Sequence, residues 1–387
     1  MILRDAYKDA PIIEVQVIGG TVSTNDIVSV EITYSENKHD IATITYSGFP
    51  PAAVTAYSGL PVYIKFGNNE ANIQEFHGYV AYVEANSVTR MGKVNNSGVQ
   101  AAKVVCFGVS YNMKPLSSNV YKNITLPKLV KAIAKKYNFS YSVPNNNYVI
   151  PTVDQSSMSD WEVLTSTAKK LGYFVTATNT HITVYDPFSS FYRGLTPTTL
   201  NTLQAQGGAD RKPGNVLEFK GTFGDVTPHG SSHNYLIKTL DSTGKSVEYS
   251  TKDSVGSGMG KQVKRRFTQE ITMNAVSKEA LRNYAGGFLK QSIPLHADVT
   301  ALGISTVFPG SIVYLNNYNS EYDGYWVVEE VRHLINRNHY LTDLHIKTDS
   351  LNTGKTKAPP GKRFIKYPGS KLVNGNWVTS KEFNYVY

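Results

Sequence analysis

Residues 309–333 read PGSIVYLNNYNSEYDGYWVVEEVRH, and residues 58–84 read SGLPVYIKFGNNEANIQEFHGYVAYVE. Each opens on a Gly/Pro turn and a strand carrying Val-Tyr, at Val62-Tyr63 and Val313-Tyr314. Each crosses an Asn-rich loop to Gly-Tyr, at Gly78-Tyr79 and Gly324-Tyr325, and ends in an apolar strand with Val-Glu, at Val83-Glu84 and Val328-Glu329. Apolar runs of this length on either side of a polar loop predict a β-hairpin. The chain spells that hairpin twice, roughly 250 residues apart. Either one plan is used in two copies, or two unrelated hairpins match by chance.

Short alternating segments surround both copies. IIEVQVIGG, VSVEITYS, IATITYSG, PVYIKFG, GYVAYVEA and AAKVVCFG follow one another between Ile12 and about Val109. Their period of two and β-branched content predict a small barrel or sandwich, and closure into a barrel would hide its edges. At Tyr111 the period changes. LPKLVKAIAKKYNF places Leu126, Leu129, Val130, Ile133, Ala134 and Tyr137 on one helical stripe, with Thr125 as N-cap and Pro127 tolerated in the first turn. SDWEVLTSTAKKLGYF predicts a second helix capped by Ser159 or Asp160 and ended by Gly172, and YFVTATNTHITVYDP predicts a hairpin turning near Asn179-Thr180. Strands resume at Val216, with NVLEFKG, NYLIKTL, the Arg266–Met273 stretch, LHADVTALG and YLTDLHIKT. One helix, at 277–292, interrupts them. Its Gly286-Gly287 pair costs about 1 kcal/mol per glycine, which points to close packing against a neighbour.

The expected layout is a β domain over 1–110, an α+β insertion over 111–187, a connector over 188–213, a second β domain over 214–350 and an extended C-terminal arm over 351–387. The stretch 242–260, with seven Ser/Thr and four Gly, reads as a long mobile loop. Pro359, Pro360 and Pro368 suggest the extended arm.

Length and composition narrow the function. At 387 residues the chain exceeds one usual hydrophobic core. Its 26 Tyr against 3 Trp suit half-buried strands and interfaces. Cys106 is the single cysteine, so an intramolecular disulfide and a thiolate metal cluster are excluded. No run reaches the roughly 18 apolar residues of a bilayer span. MILRDAYKDAP carries charge where a signal peptide needs its apolar core, so the expectation is a soluble protein assembled in the cytoplasm. The net charge of +9 permits contact with an anionic partner. Two basic clusters are the candidate partner contacts: Lys261, Lys264, Arg265 and Arg266, then Lys355, Lys357, Lys362, Arg363 and Lys366.

No catalytic constellation emerges, and the expectation is a non-enzyme with no cofactor and no metal. Carboxylates are scattered over alternating strands rather than paired, and Glu248 and Asp253 fall in or near the expected mobile loop. His333, His339 and His345 invite a metal reading, but an intervening turn blurs their register and no HExxH or HxH motif is present. His229 and His233 sit in a Gly/Ser loop. Neither a Walker loop, nor GxSxG, nor a GxGxxG after a strand occurs.

The insertion and the last segment carry a resemblance. SDWEVLTSTAKKLGYFVTATNTHITVYDP, the preceding NITLPKLVKAIAKKYNFSY, and the ending from FPGSIVYL through DGYWVVEEVRH to YLTDLHI resemble phage tail hub proteins. That family includes the late control protein D of P2-like phages, the T4 baseplate hub (gene product 27) and the hub part of VgrG spikes. The resemblance covers about 110–187 and 280–348 well, the first β domain weakly and the tail not at all. It implies a mainly β fold with two tube-type β-barrel domains per chain plus the small helix-containing insertion. It further implies a homotrimer whose six barrels join a sixfold tail tube to a threefold spike at the distal end of the virion tail, assembled in the host cytoplasm. DNA would pass without sequence-specific binding. VgrG chains continue into a spike, whereas 37 residues follow Ser350 here. The spike is therefore expected to be a separate protein, and the arm to dock on it or on a neighbour. One departure is that lumens passing DNA are often acidic, while this chain is basic. The alternatives are a tail-tip protein of a non-contractile phage, an injection-system hub, or a cell-wall-binding or hydrolytic tail component using 111–187.

Overall fold

The computed structural model describes residues 11–20, 26–49, 56–68, 72–86, 99–186, 198–201, 214–222, 233–240, 244–251, 261–262, 267–272, 278–291, 293, 295–316, 318, 322–348, 350–351, 369–381 and 384–386. The fold is mainly β. A 12-stranded sheet dominates it, and both sequence-repeated hairpins lie in that sheet.

The first unit contains β1 (Ile12–Val17), β2 (Ile27–Ser35), β3 (Ile41–Phe49), β4 (Pro61–Gly67), β5 (Gln74–Asn86) and β6 (Val99–Gly108). Their spatial order is β1-β4-β5-β6-β3-β2, with every ladder antiparallel. Alternation decides what each strand buries. Val30, Ile32 and Tyr34 of β2 point to the core, as do Val62, Ile64 and Phe66 of β4.

The insertion follows. Helix α1 (Leu126–Lys136) buries Leu126, Leu129, Val130, Ile133 and Ala134 of the predicted stripe, while its sixth member, Tyr137, is the half-buried C-cap residue. After β7 (Ser140–Val143) comes α2 (Asp160–Lys170), entered through a capping box. In that box Glu162 N–H donates to Ser159 Oγ (3.1 Å) and Ser159 N–H to Glu162 Oε2 (2.8 Å). Asp160 then ties the helices together, accepting from Lys136 Nζ and Tyr137 Oη, each at 2.6 Å. Gly172 leaves the helix at φ +79°. Strands β8 (Phe174–Thr178) and β9 (His181–Tyr185) form the expected hairpin, with Asn179 in the left-handed region of its turn.

The second unit contains β10 (Thr198–Asn201), β11 (Val216–Thr222), β15 (Leu295–Leu302), β16 (Ile312–Asn316), β17 (Gly324–Asn336) and β18 (Tyr340–Thr348). Between β11 and β15 lies a side piece: β12 (His233–Leu240), β13 (Ser246–Ser250), β14 (Phe267–Thr272) and helix α3 (Lys278–Gln291). Several expectations need correction here. NYLIKTL and the Arg266–Met273 stretch are not part of the large sheet; they supply β12 and β14 of a separate three-stranded sheet. Its core joins Tyr235 and Ile237 to Ala280, Leu281 and Ala285 of α3. The expected loop over 242–260 contains β13, which pairs with β12 from Leu236↔Ser250 to Leu240↔Ser246; 252–260 lie outside the described residues. Serine and threonine serve a half-exposed strand as readily as a loop. The connector holds β10, and 188–197 and 202–213 lie outside the described residues.

The last segment also differs from an extended arm. Strands β19 (Ser370–Val373) and β20 (Asn376–Thr379) form a hairpin around Asn374 and Gly375, both at positive φ, and β21 (Asn384–Val386) adds parallel to β7. Trp377 is buried in the insertion core, its ring stacked on His77 at 4.3 Å and its Nε1–H donating to the Gly78 carbonyl at 3.1 Å.

Candidate functional site: an internal junction and two open sheet edges

The second unit repeats the first strand for strand. Its spatial order, β10-β16-β17-β18-β15-β11, is that of β1-β4-β5-β6-β3-β2 when both are numbered along the chain. One pairing differs in direction: β10 runs parallel to β16, whereas β1 is antiparallel to β4.

Irregular positions coincide as well. Gly59 N–H donates to the Val80 carbonyl (2.8 Å) and Val80 N–H to the Leu60 carbonyl (2.9 Å). In the second unit Gly310 N–H donates to Val328 (2.7 Å) and Val328 N–H to Ser311 (2.9 Å). Gly59 and Gly310 both take positive φ, at 79° and 87°. Register shifts fall between Val80 and Tyr82 in β5 and between Val328 and Glu330 in β17. They recur between Ile27 and Ser29 in β2 and between Val216 and Glu218 in β11. A bulge adds a residue and re-aims everything after it, so coincident bulges in two units reflect one plan.

This geometry corrects the sequence match in one respect. Val62 faces Gly78, but Val313 faces Trp326, so the counterpart of Gly78 is Trp326 and not Gly324. The Gly-Tyr pairs are out of step by two residues, a shift that keeps every side chain on its own face. The two glycines also serve different needs. A Cβ on Gly78 would stand 2.3 Å from the Phe107 carbonyl oxygen, whereas Gly324 takes φ +146°.

Strand β17 is longer than its hairpin requires. Residues Gly324–Val327 pair with β16, and the same strand continues as Glu330–Asn336 to pair antiparallel with β2 of the first unit. The two units thereby share a sheet and a core. Val30, Ile32 and Tyr34 on one side meet Val331, His333 and Ile335 on the other, all 2 % exposed or less. His333 Nδ1 lies 2.9 Å from Tyr340 Oη, and Ser35 Oγ donates to Glu330 Oε2 at 2.6 Å.

The counterparts of those two joined strands are open. β11, the counterpart of β2, pairs with β15 alone among the described residues. β5, the counterpart of β17, pairs with β4 up to Tyr79, and its Tyr82–Asn86 half has no ladder on that side among the described residues. Leu217 and Tyr82 are exposed there, at 42 % and 46 %. Phe219 and Val83 pack on the shared core but remain partly exposed, while their counterparts Val30 and Val331 are fully covered. Open apolar edges of this kind are templates for another strand.

Of the candidate basic contacts, Lys261 lies in a two-residue strand, Lys261–Gln262, paired with Ser350–Leu351. Lys264, Arg265, Arg266, Lys355, Lys357, Lys362, Arg363 and Lys366 fall outside the described residues. The three histidines weighed together do not converge. His333 is buried against Tyr340, and exposed His339 contacts Asn336. His345 instead meets Asp298 and lies beside His296 and Glu329, residues that local spacing does not connect to it.

The sequence matches no protein-family pattern and no curated relative. Solved structures do match. A tail protein from Neisseria meningitidis MC58 superposes with a TM-score of 0.63 at 15% identity, over 91% of this chain and 99% of that one. A 43 kDa tail protein of prophage MuSo2 from Shewanella oneidensis gives 0.61 at 13%, over 88% and 99%. The E. coli c3393 protein is described as a type VI secretion component similar to T4 tail proteins gp27 and gp5. It gives 0.54 at 11%, over 92% of this chain and 80% of that one. The chain shares the fold of phage tail proteins.

Proposed function

We propose that this chain is a structural hub of a phage tail, not an enzyme, and that three copies close into a ring of six similar units. The observation that carries the reading is the internal junction together with its two open counterparts. Every strand needed to repeat the β2–β17 ladder between copies is present in one chain, with its free side unpaired among the described residues. Transferring the ladder by strand equivalence sets β11 of one copy antiparallel to Tyr82–Asn86 of the next, with Thr222 opposite Glu84 and Lys220 opposite Asn86. Such head-to-tail contacts form a closed ring when the rotation closes. The ring would sit at the distal end of the tail between the hexameric tube protein and a separate trimeric spike protein, letting DNA pass without reading its sequence. Assembly would take place in the host cytoplasm. The fold shared with tail proteins supports this placement.

Mass photometry of the purified chain, alone and with its tube protein, tests the ring. A paired-cysteine variant, Thr222→Cys with Glu84→Cys, tests the register. Cys106 is buried and does not compete. Oxidation is expected to yield covalent dimers and closed trimers, with neither single variant forming a ladder. A monomer in both conditions, with no cross-link, overturns the reading.

A further inference from the structure

Beside the junction, where β17 bulges at Glu329, three strands of the second unit bring His296, Glu329 and His345 together. Their ligand atoms all lie within 4.8 Å of one another. His296 Nδ1 is 3.6 Å, and His345 Nε2 4.0 Å, from Glu329 Oε2. The two imidazoles stack with centroids 5.4 Å apart.

What each ring does on its other side decides the chemistry. His296 Nε2 lies 2.9 Å from the Ile293 carbonyl oxygen, and His345 Nδ1 lies 2.7 Å from Asp298 Oδ1. Neither a carbonyl nor a carboxylate has a proton to give, so each ring nitrogen there must be the N–H. In the neutral rings the lone pairs of His296 Nδ1 and His345 Nε2 are then turned toward a carboxylate oxygen. Three atoms able to ligate a metal ion thus converge on one point. Outer hydrogen bonds that fix a tautomer in this way are the usual support of metal-binding histidines.

One ammonium, that of Lys347, also approaches the cluster. Lys347 is 3.7 Å from Glu329 Oε2, but it is also ion-paired with buried Glu36 and lies 3.9 Å from the centre of the Phe174 ring.

We infer that His296, Glu329 and His345 form a binding site for one divalent transition-metal ion of the zinc class. Two imidazoles and a carboxylate are a borderline donor set that suits zinc and leaves a fourth position open. Ligand atoms around tetrahedral zinc stand about 3.4 Å apart, so the 3.6 and 4.0 Å separations from Glu329 Oε2 need a contraction of a few tenths of an ångström, and the two imidazole nitrogens, within 4.8 Å of each other, draw in further on binding. Bound there, the ion would pin β15, β17 and β18 together next to the ladder that joins the two units.

The test uses the full chain, dialysed against chelator and titrated with Zn2+ by calorimetry and with Co2+ by visible absorption. One ion per chain is expected, with a cobalt spectrum of nitrogen and oxygen ligation that zinc abolishes. His345→Gln and Glu329→Gln are each expected to weaken binding about tenfold or more, while His339→Gln leaves it unchanged. Circular dichroism establishes that the variants are folded, and the wild-type cobalt spectrum does not depend on them. The inference is overturned if the wild type binds neither ion in excess over protein, or if folded His345→Gln and Glu329→Gln bind as the wild type does.

Discussion

Ile32 of the first unit stands directly across the ladder from His333 of the second, and both are fully buried. An aliphatic side chain and a neutral imidazole, some 300 positions apart in sequence, thus meet at the centre of the contact between the units. Truncating Ile32→Ala removes buried methylenes where both units must stay in register. A loss of roughly 2–5 kcal/mol is expected, read from urea unfolding. A loss below about 1 kcal/mol would mean that the two units do not depend on each other at this point.

The paired glycines of α3 separate two effects. A Cβ on Gly287 would lie 2.3 Å from the Lys170 carbonyl oxygen and 2.8 Å from Gly172 N, both backbone atoms at the end of α2. Gly286 meets nothing within 4 Å. Gly286→Ala is therefore expected to stabilise by about 0.5–1 kcal/mol through helix propensity. Gly287→Ala should instead destabilise by roughly 1–3 kcal/mol. Thermal melts of the two variants should move in opposite directions.

Trp377 anchors the C-terminal hairpin on the chain's own insertion rather than leaving it for a distant partner. Trp377→Ala is expected to cost about 3–5 kcal/mol. Protease sensitivity should rise first within 369–386, where the hairpin and β21 depend on that anchor. Unchanged protection would show that the ring contributes nothing to docking.

Acid should weaken the fold through its buried histidines. Burial lowers His181 and His333 to about 3, below the 6.5 of an unfolded chain. The stability tied to their neutral forms is complete above about 6.5 and is withdrawn as pH falls toward 3. Each withdraws on the order of 1 kcal/mol per pH unit within that window. Glu36 acts in the opposite sense, since burial raises it from 4.5 to about 7 against the pull of Lys347. Stability is thus expected to fall most steeply below about pH 4.5, where Glu36 no longer offsets the histidines. Urea midpoints at stepped pH check this, and a folded His333→Gln variant should flatten the slope.

Local signals made part of this molecule legible. The α1 stripe, the cap at Ser159 or Asp160, Gly172 and the Asn179 turn each depend on residues within a few positions, and the structure follows them, with Ser159 as the cap. The repeated hairpin was visible because Gly59 and Gly310 enter equivalent strands through the same left-handed turn. What joins the units was not visible, because β2 and β17 read as ordinary alternating strands whose partners no local pattern names. The side sheet escaped for a related reason: β12 and β14 alternate as the large-sheet strands do. Asn374-Gly375 is a strong hairpin signal, overshadowed by Pro359, Pro360 and Pro368. His296 and His345 meet because β15 and β18 are adjacent, which only the ladder register reveals.

The side piece between β11 and β15 has no counterpart in the first unit, where β2 reaches β3 through Glu36–Asp40. Two halves built on one plan therefore carry different attachments. In a ring of such chains every second position would bear an additional lobe of three strands and a helix. A partner approaching from outside could then tell neighbouring positions apart, although the wall they form is nearly uniform. Fusing two unequal copies in one polypeptide would thus give such a ring an index mark, with alternate positions distinguishable.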